Sequence, residues 1–162
     1  MPISYPKLII SIAIPYLVAA LAGYATSSNI STWYTTLIKP WYAPPNYLFG
    51  PVWGVLYLLM GISLYMVWCS KHTGIWYKSA FVVFGVQLLL NMLWSFLFFH
   101  FKFMGVALLE ITVLWLCIFL TILVFAKISK TAAWLLVPYI AWVTFAAVLN
   151  YGYYTLNVVD KL

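Results

Sequence analysis

Residues 103–126 read FMGVALLEITVLWLCIFLTILVFA, an apolar run in which Glu110 is the single charged residue. A helix needs about 20 residues to cross a bilayer core of ~30 Å, so this run is long enough to span a membrane. Four further apolar runs cover about residues 7–26, 46–70, 79–99 and 131–156. These continuous runs lack the alternating polar face of a barrel strand. The sequence therefore predicts an all-α integral membrane protein, a bundle of five transmembrane helices that forms one domain over residues 1–162.

The composition excludes most other classes of protein. Of the 162 residues, 67% are hydrophobic, 20% are aromatic and 6% are charged, and the mean hydropathy is +1.05. Soluble domains carry about a quarter of charged residues, so this chain cannot cover a water-facing surface. The eight lysines are scattered singly between apolar runs, which is typical of membrane-protein loops and excludes a nucleic-acid-binding stripe.

Acid–base catalysis has few candidate residues. The acids are Glu110 and Asp160, so paired-carboxylate hydrolysis and a Ser-His-Asp triad both lack partners. Cys69 and His72 share the spacing of one helical face, but only His100 and the two carboxylates remain to complete a set of metal ligands. We therefore predict no metal site and no required cofactor.

The segment of about residues 27–45 is the longest connection between spans, and it is dense in aromatic residues and proline. This segment is either an interfacial aromatic belt or a lid over a site, since long loops in compact domains are often functional. The residues that would form the lid are Trp33, Tyr34, Lys39, Pro40, Pro44 and Pro45.

The sequence also indicates how the chain is oriented in the membrane and whether its first span could be a cleaved signal peptide. Five lysines would share the side of the N-terminus and three would lie opposite, which favours an N-terminus inside the cell by the positive-inside rule. The two groups are Lys7, Lys71, Lys78, Lys127 and Lys130, against Lys39, Lys102 and Lys161. The first span also fits a signal peptide, with Ala20-Leu21-Ala22 as the cleavage site.

Small residues recur at helical spacing in the first two spans, as at Gly23 and at Gly50, Gly54 and Gly61. Such stripes either let helices pack closely in lipid or leave room for a flat ligand. Both interpretations can hold on different faces.

Polar residues also recur at helical spacing. Gln87, Asn91 and Ser95 lie four apart in the third span, where interhelical hydrogen bonds or a cavity would satisfy them. In the fourth span, Glu110 is expected to face the bundle, where its carboxyl group is either protonated or paired with a residue such as Lys102, two turns before it.

Several motifs in chain order resemble the TspO/MBR family, the tryptophan-rich sensory proteins and the mitochondrial translocator protein. The first is Trp33-Tyr34-x-x-Leu37-x-Lys39-Pro40-x-x-x-Pro44-Pro45, and the others occupy residues 49–57, 87–94, 107–110 and 138–151. The likeness covers nearly the whole chain, which also implies that the first helix is retained.

The resemblance implies a homodimer with a ligand pocket that is closed by the first loop. Family ligands are porphyrins such as protoporphyrin IX, isoquinoline carboxamides and benzodiazepines. By position, the ligand-binding residues would be Gly23, Thr26, Phe49, Gly50, Trp53, Asn91, Trp94, Val106, Trp142, Ala146 and Leu149. In some bacterial members the tryptophans that match Trp53 and Trp142 are tied to light-dependent breakdown of porphyrin, so these two would be the catalytic residues of an enzyme.

The chain departs from the family at three places. Tyr42 stands where the family usually has tryptophan, and Val106 stands where animal members have tryptophan. The sterol-binding motif near the C-terminus is not matched. Six residues separate Tyr154 from Lys161, whereas the motif allows at most about five. Sterol transport is therefore disfavoured.

Two functions remain as hypotheses. The first is a membrane receptor or sensor that binds a porphyrin in an aromatic pocket, with a contribution to tetrapyrrole transport or disposal. The alternative is an enzyme that degrades porphyrin with light and oxygen. The expected location is the bacterial cell membrane, or the mitochondrial outer membrane if the chain is eukaryotic.

Overall fold

Long helices make up most of the protein. A computed structural model describes residues 3–159, apart from the side chain of Ser28. The helices are α1 (Tyr5–Ile30), α2 (Phe49–Trp68), α3 (Ile75–Ser95), α4 (Met104–Ala126), α5 (Lys130–Leu135) and α6 (Val137–Asn157). Within the described range, five helical segments are long and apolar enough to cross a membrane, which confirms the predicted fold class. Asp160 and Lys161 lie outside the described residues.

Several of the predicted helix boundaries differ from those of the structure. Helix α1 continues to Ile30, so the long connection begins at Ser31 instead of residue 27. Helix α3 begins at Ile75, earlier than predicted, and continues into a π-helical turn, Phe96–His100. The fifth span is two helices, α5 and α6, that meet at Leu136. Pro138 lies in the first turn of α6, where its missing N–H breaks no intrahelical hydrogen bond.

The helices form a ring in which α1 contacts both α2 and α3. Helix α4 packs against α3 and α6, and the short helix α5 packs against α2 and α4. Close approach of α1 and α2 depends on Gly61, because a Cβ atom there would lie 2.7 Å from the Ile12 Cα atom. The small-residue stripe of α2 therefore serves helix packing at this position.

A buried hydrogen-bond network ties together α2, α3 and α6 in the middle of the bundle. The Tyr57 hydroxyl donates to Asn91 Oδ1 (2.5 Å), and Asn91 Nδ2 donates to the Tyr139 hydroxyl (3.2 Å). The Tyr139 hydroxyl in turn donates to Gln87 Oε1 (2.9 Å). Two of the three polar residues predicted on α3 are thus used for interhelical bonding.

Glu110 faces the bundle as predicted, but Lys102 is not its partner. The Glu110 side chain is buried on α4, and neither carboxylate oxygen has a hydrogen-bond partner among residues 3–159. Lys102 does not reach back to Glu110. Its backbone is left-handed (φ 61°), and its ammonium group lies over the Trp33 ring instead.

Candidate functional site

A cavity of about 460 Å³ lies between α1, α2, α3 and α6, at the end of the bundle that the connection between α1 and α2 covers. Ligand pockets typically span about 300–1,000 Å³ and are mostly apolar, with a few polar groups. The lining fits this description: it is rich in aromatic residues and glycine, and its polar side chains include Thr26, Asn46, Ser95 and Asn150.

Three tryptophans from three helices contribute to the cavity wall, and neighbouring rings hold each of them in place. Trp53 lies against Tyr57, with ring centroids 5.4 Å apart. Trp142 packs edge-on against Phe49 at 6.0 Å. These rings present large polarisable surfaces to the cavity without being free to fold into it.

Trp94 is held by both a ring contact and a hydrogen bond. It stacks on Phe98 at 5.3 Å, and its Nε1 donates to Asn150 Oδ1 (3.1 Å). Asn150 also donates from Nδ2 to the Met104 carbonyl (3.0 Å), so this tryptophan is fixed relative to α4 as well as α6.

Three glycines leave the wall open. A Cβ atom at Gly23, Gly50 or Gly54 would meet no heavy atom within 4 Å. All three line the cavity, in contrast to Gly61, which is in tight contact with α1. The glycine stripe of α2 therefore allows close helix packing at Gly61 and leaves cavity volume open at Gly50 and Gly54.

The cavity opens between α1 and α2. Lining residues on these helices, such as Tyr16, Gly23 and Gly50, are exposed, whereas Ser95 on α3 and Tyr153 on α6 are buried. The Tyr16 hydroxyl donates to the Gly54 carbonyl (2.8 Å), which joins the two helices at this opening.

The lid is the connection between α1 and α2, residues 31–48, and it is fastened to α6. The Tyr153 hydroxyl donates to the Tyr34 hydroxyl (2.6 Å). Burial raises the pKa of Tyr34 well above its usual value, so the phenol is neutral at physiological pH. Two further bonds of 2.9 Å join the backbone of Ile38 to the side-chain amide of Asn157.

Close packing completes the attachment of the lid. Pro40 is buried against Gly152, where a Cβ atom would lie 2.8 Å from Pro40 Cγ. The Tyr42 hydroxyl donates to the Val148 carbonyl (3.3 Å). Tyr42, at the position where the family usually has tryptophan, therefore contributes to docking the lid.

Nine of the eleven predicted ligand-binding residues line the cavity: Gly23, Thr26, Phe49, Gly50, Trp53, Trp94, Trp142, Ala146 and Leu149. The structure places the other two elsewhere. Asn91 lies in the buried network beneath Trp53, bonded to Tyr57 and Tyr139. Val106 is 51% exposed and lies on the outer face of α4. The next residue, Ala107, is the one that is buried.

The predicted lid residues occupy different positions within the lid. Tyr34 lines the cavity. Trp33 does not, but its ring packs against the lining residue Phe98, with the two ring centroids 5.9 Å apart. Lys39 is exposed, Pro40 is buried, and Pro44 and Pro45 lead into a 3₁₀ turn at Asn46–Leu48.

Sequence reasoning missed several aromatic lining residues. Phe98, Phe99 and Tyr153 form the wall between the cavity and the lid. The four-residue spacing of Trp94 and Phe98 is the one sequence signal that could have indicated Phe98. Phe99 faces the same cluster only because the helix widens to a π-turn there.

Comparisons with known proteins agree with the resemblance inferred from the motifs. A model described as the TspO/MBR family matches residues 11–155. The chain is 40% identical to the tryptophan-rich protein TspO of Archaeoglobus fulgidus over 93% of this chain and 97% of the relative. It is 39% identical to the translocator protein of Sus scrofa over 83% of each chain. It is 36% identical to the tryptophan-rich sensory protein of Cereibacter sphaeroides over 86% of this chain and 87% of the relative.

Proposed function

The chain belongs to the TspO/MBR family, and we propose that it is a membrane receptor or sensor whose cavity binds a porphyrin, a flat tetrapyrrole such as protoporphyrin IX. The observation that carries this proposal is the wall of the cavity, where three fixed tryptophans face space left open by glycines. A flat aromatic macrocycle matches that combination, because stacking needs both rigid rings and an unobstructed slot. The translocator and sensory names of the relatives support the receptor role.

The position of the cavity supports a ligand that arrives from the membrane. The cavity opens between α1 and α2, while the lid covers its end and is tied to α6. A large apolar ligand would therefore enter sideways, and the lid would shield it from water. The same aromatic wall suits isoquinoline carboxamides and benzodiazepines, which also carry aromatic rings.

Titration of the purified protein with protoporphyrin IX tests binding. We expect saturable quenching of tryptophan fluorescence at micromolar porphyrin. Trp142→Phe is expected to raise the Kd by about threefold to tenfold, the size of one aromatic contact. Trp134→Phe is the matched control, since Trp134 is 71% exposed on α5 and does not line the cavity. Absence of saturable quenching, or equal effects of the two variants, would contradict the proposal.

Illumination with oxygen distinguishes the enzyme from the receptor. An enzyme would accelerate loss of the porphyrin Soret band relative to free porphyrin, and Trp53→Phe and Trp142→Phe would slow that loss. A receptor would bind the porphyrin and leave the rate of bleaching unaffected by either substitution.

A further inference from the structure

We propose that Lys39 and Lys102 form a pair of carboxylate-binding residues at the lid end of the cavity, which selects tetrapyrroles with acidic side chains. This inference rests on the proposed function. It concerns the acidic side chains of the ligand, which an uncharged aromatic wall cannot recognise.

The cavity wall provides no charge to an acidic ligand. None of the residues that line it, within the described part of the chain, is a lysine, arginine, aspartate or glutamate. An ionised carboxylate inside this apolar space would lose its hydration without a compensating cation. A tetrapyrrole that carries acidic side chains must therefore place them outside the wall.

Lys39 lies next to the wall on the lid side. Its Nζ atom lies 5.6 Å from the centroid of the Tyr34 ring, and Tyr34 itself lines the cavity. The Lys39 side chain is exposed, whereas Tyr34 is buried, so a ligand carboxylate would have to extend past the edge of the Tyr34 ring to meet this ammonium.

Lys102, in the turn between α3 and α4, lies beside Trp33, the lid residue next to Tyr34. Its Nζ atom lies 5.7 Å from the centroid of the Trp33 ring, which contacts the lining residue Phe98. Lys102 has φ 61°, a left-handed conformation that is costly for a residue with a long side chain. Glycine or asparagine would serve the turn better, so the turn alone does not explain a lysine here.

Neither ammonium is neutralised within the described part of the chain. The single carboxylate side chain among residues 3–159 is that of Glu110, which is buried on α4. Each lysine lies beside the lid in a cation–π contact, which does not neutralise its charge. Trp33 and Tyr34 are adjacent in the chain, so the two cations flank one short turn of the lid.

Protoporphyrin IX and its uncharged dimethyl ester, titrated in the same detergent, test this pairing. We expect wild-type protein to bind the free acid more tightly than the diester. Lys39→Gln and Lys102→Gln should each weaken binding of the free acid by about fivefold, the upper range for an exposed ion pair, and leave the diester unaffected. Lys102→Arg keeps the charge and should retain most of the preference for the acid.

Lys71→Gln is the matched control, because Lys71 is exposed between α2 and α3 and its loss changes the net charge equally. Equal binding of acid and diester, or an equal effect of Lys71→Gln, would overturn the inference. Weaker binding of both compounds in the lysine variants would also overturn it, because that result means the lysines act by holding the lid. Failure of the diester and the acid to bind wild-type protein would refute the proposed function itself.

Discussion

At the scale of single residues, the glycines differ in what surrounds them. Gly23, Gly50 and Gly54 face open space, so the missing side chains create volume in the cavity. Gly61 faces the backbone of α1 so closely that an added Cβ atom would lie 2.7 Å from the Ile12 Cα atom, so its missing side chain permits helix contact. Identical residues at similar spacing thus have opposite consequences, which depend on the neighbouring helix.

Substitution of Gly61 tests the packing role. Gly61→Ala places a methyl group against the Ile12 backbone, which cannot move as a side chain can. We expect a loss of about 1–3 kcal/mol in the free energy of unfolding, as for overpacked cores. Thermal unfolding in detergent, followed by circular dichroism, measures it.

Gly85→Ala provides the control for Gly61→Ala. Gly85 also lies inside a helix, and a Cβ atom there would meet nothing within 4 Å. Alanine is the better helix former by about 1 kcal/mol, so this variant should be as stable as wild type or more stable. A lower melting temperature in both variants would contradict the explanation from packing.

At the scale of elements, the lid is tied to α6 although the chain enters it from α1 and leaves it into α2. Tyr34, Ile38 and Tyr42 all bond to α6, at Tyr153, Asn157 and the Val148 carbonyl. The opening between α1 and α2 therefore lies away from the anchored side. Under the proposed function, a ligand would enter on this side without release of the lid.

Asn157 is the clearest attachment to test. Asn157→Ala removes the acceptor for the Ile38 N–H and the donor to the Ile38 carbonyl. We expect hydrogen exchange of the lid peptide that contains Ile38 to accelerate about tenfold, because these bonds protect that amide from solvent. Hydrogen-exchange mass spectrometry measures the rate.

Thr155→Val is the control for Asn157→Ala. The Thr155 hydroxyl donates only to the Tyr151 and Gly152 carbonyls of its own helix. Exchange of the lid in this variant should match wild type. Unchanged exchange in Asn157→Ala would mean that packing of Pro40 and Tyr42 on α6 suffices to hold the lid.

At the scale of the whole molecule, polar contacts supplement packing between the helices. Association of helices in lipid gains little from hydrophobic burial, so close packing and hydrogen bonds contribute much of the specificity. The network of Tyr57, Gln87, Asn91 and Tyr139 joins three helices and lies beneath the cavity. It fixes the separation of the elements that carry Trp53, Trp94 and Trp142.

Removal of one hydroxyl tests the network. Tyr139→Phe deprives Gln87 Oε1 of its donor and Asn91 Nδ2 of its acceptor. We expect a loss of about 1–2 kcal/mol in stability, because two buried amide groups lose a partner. Tyr151→Phe, at a residue that is 57% exposed, should leave the melting temperature unchanged. Equal stability of the two variants would show that the network contributes nothing measurable.

Much of the architecture could be predicted because hydropathy reports directly on the bilayer. Residues 103–126 and the four other runs identified the five spans, and the family was evident from motifs that lie in order along the chain. The same motifs indicated most of the residues that the structure brings to the cavity wall, among them Trp53, Trp94 and Trp142. Helix ends were less predictable, since Ile30 and Leu136 lie in runs without charge.

The order of apolar and polar residues thus determined that this protein spans a membrane with five helices, because each apolar run is long enough to cross and carries almost no charge. The tertiary structure decided which face of each helix meets the cavity, the core or the lipid. Lipid and protein core are both apolar, so polarity does not mark the rotation of a helix about its axis. Asn91 therefore lies in the buried network and Val106 on the outside of α4, while Lys102 turns to the lid, and packing among the helices decided all three positions.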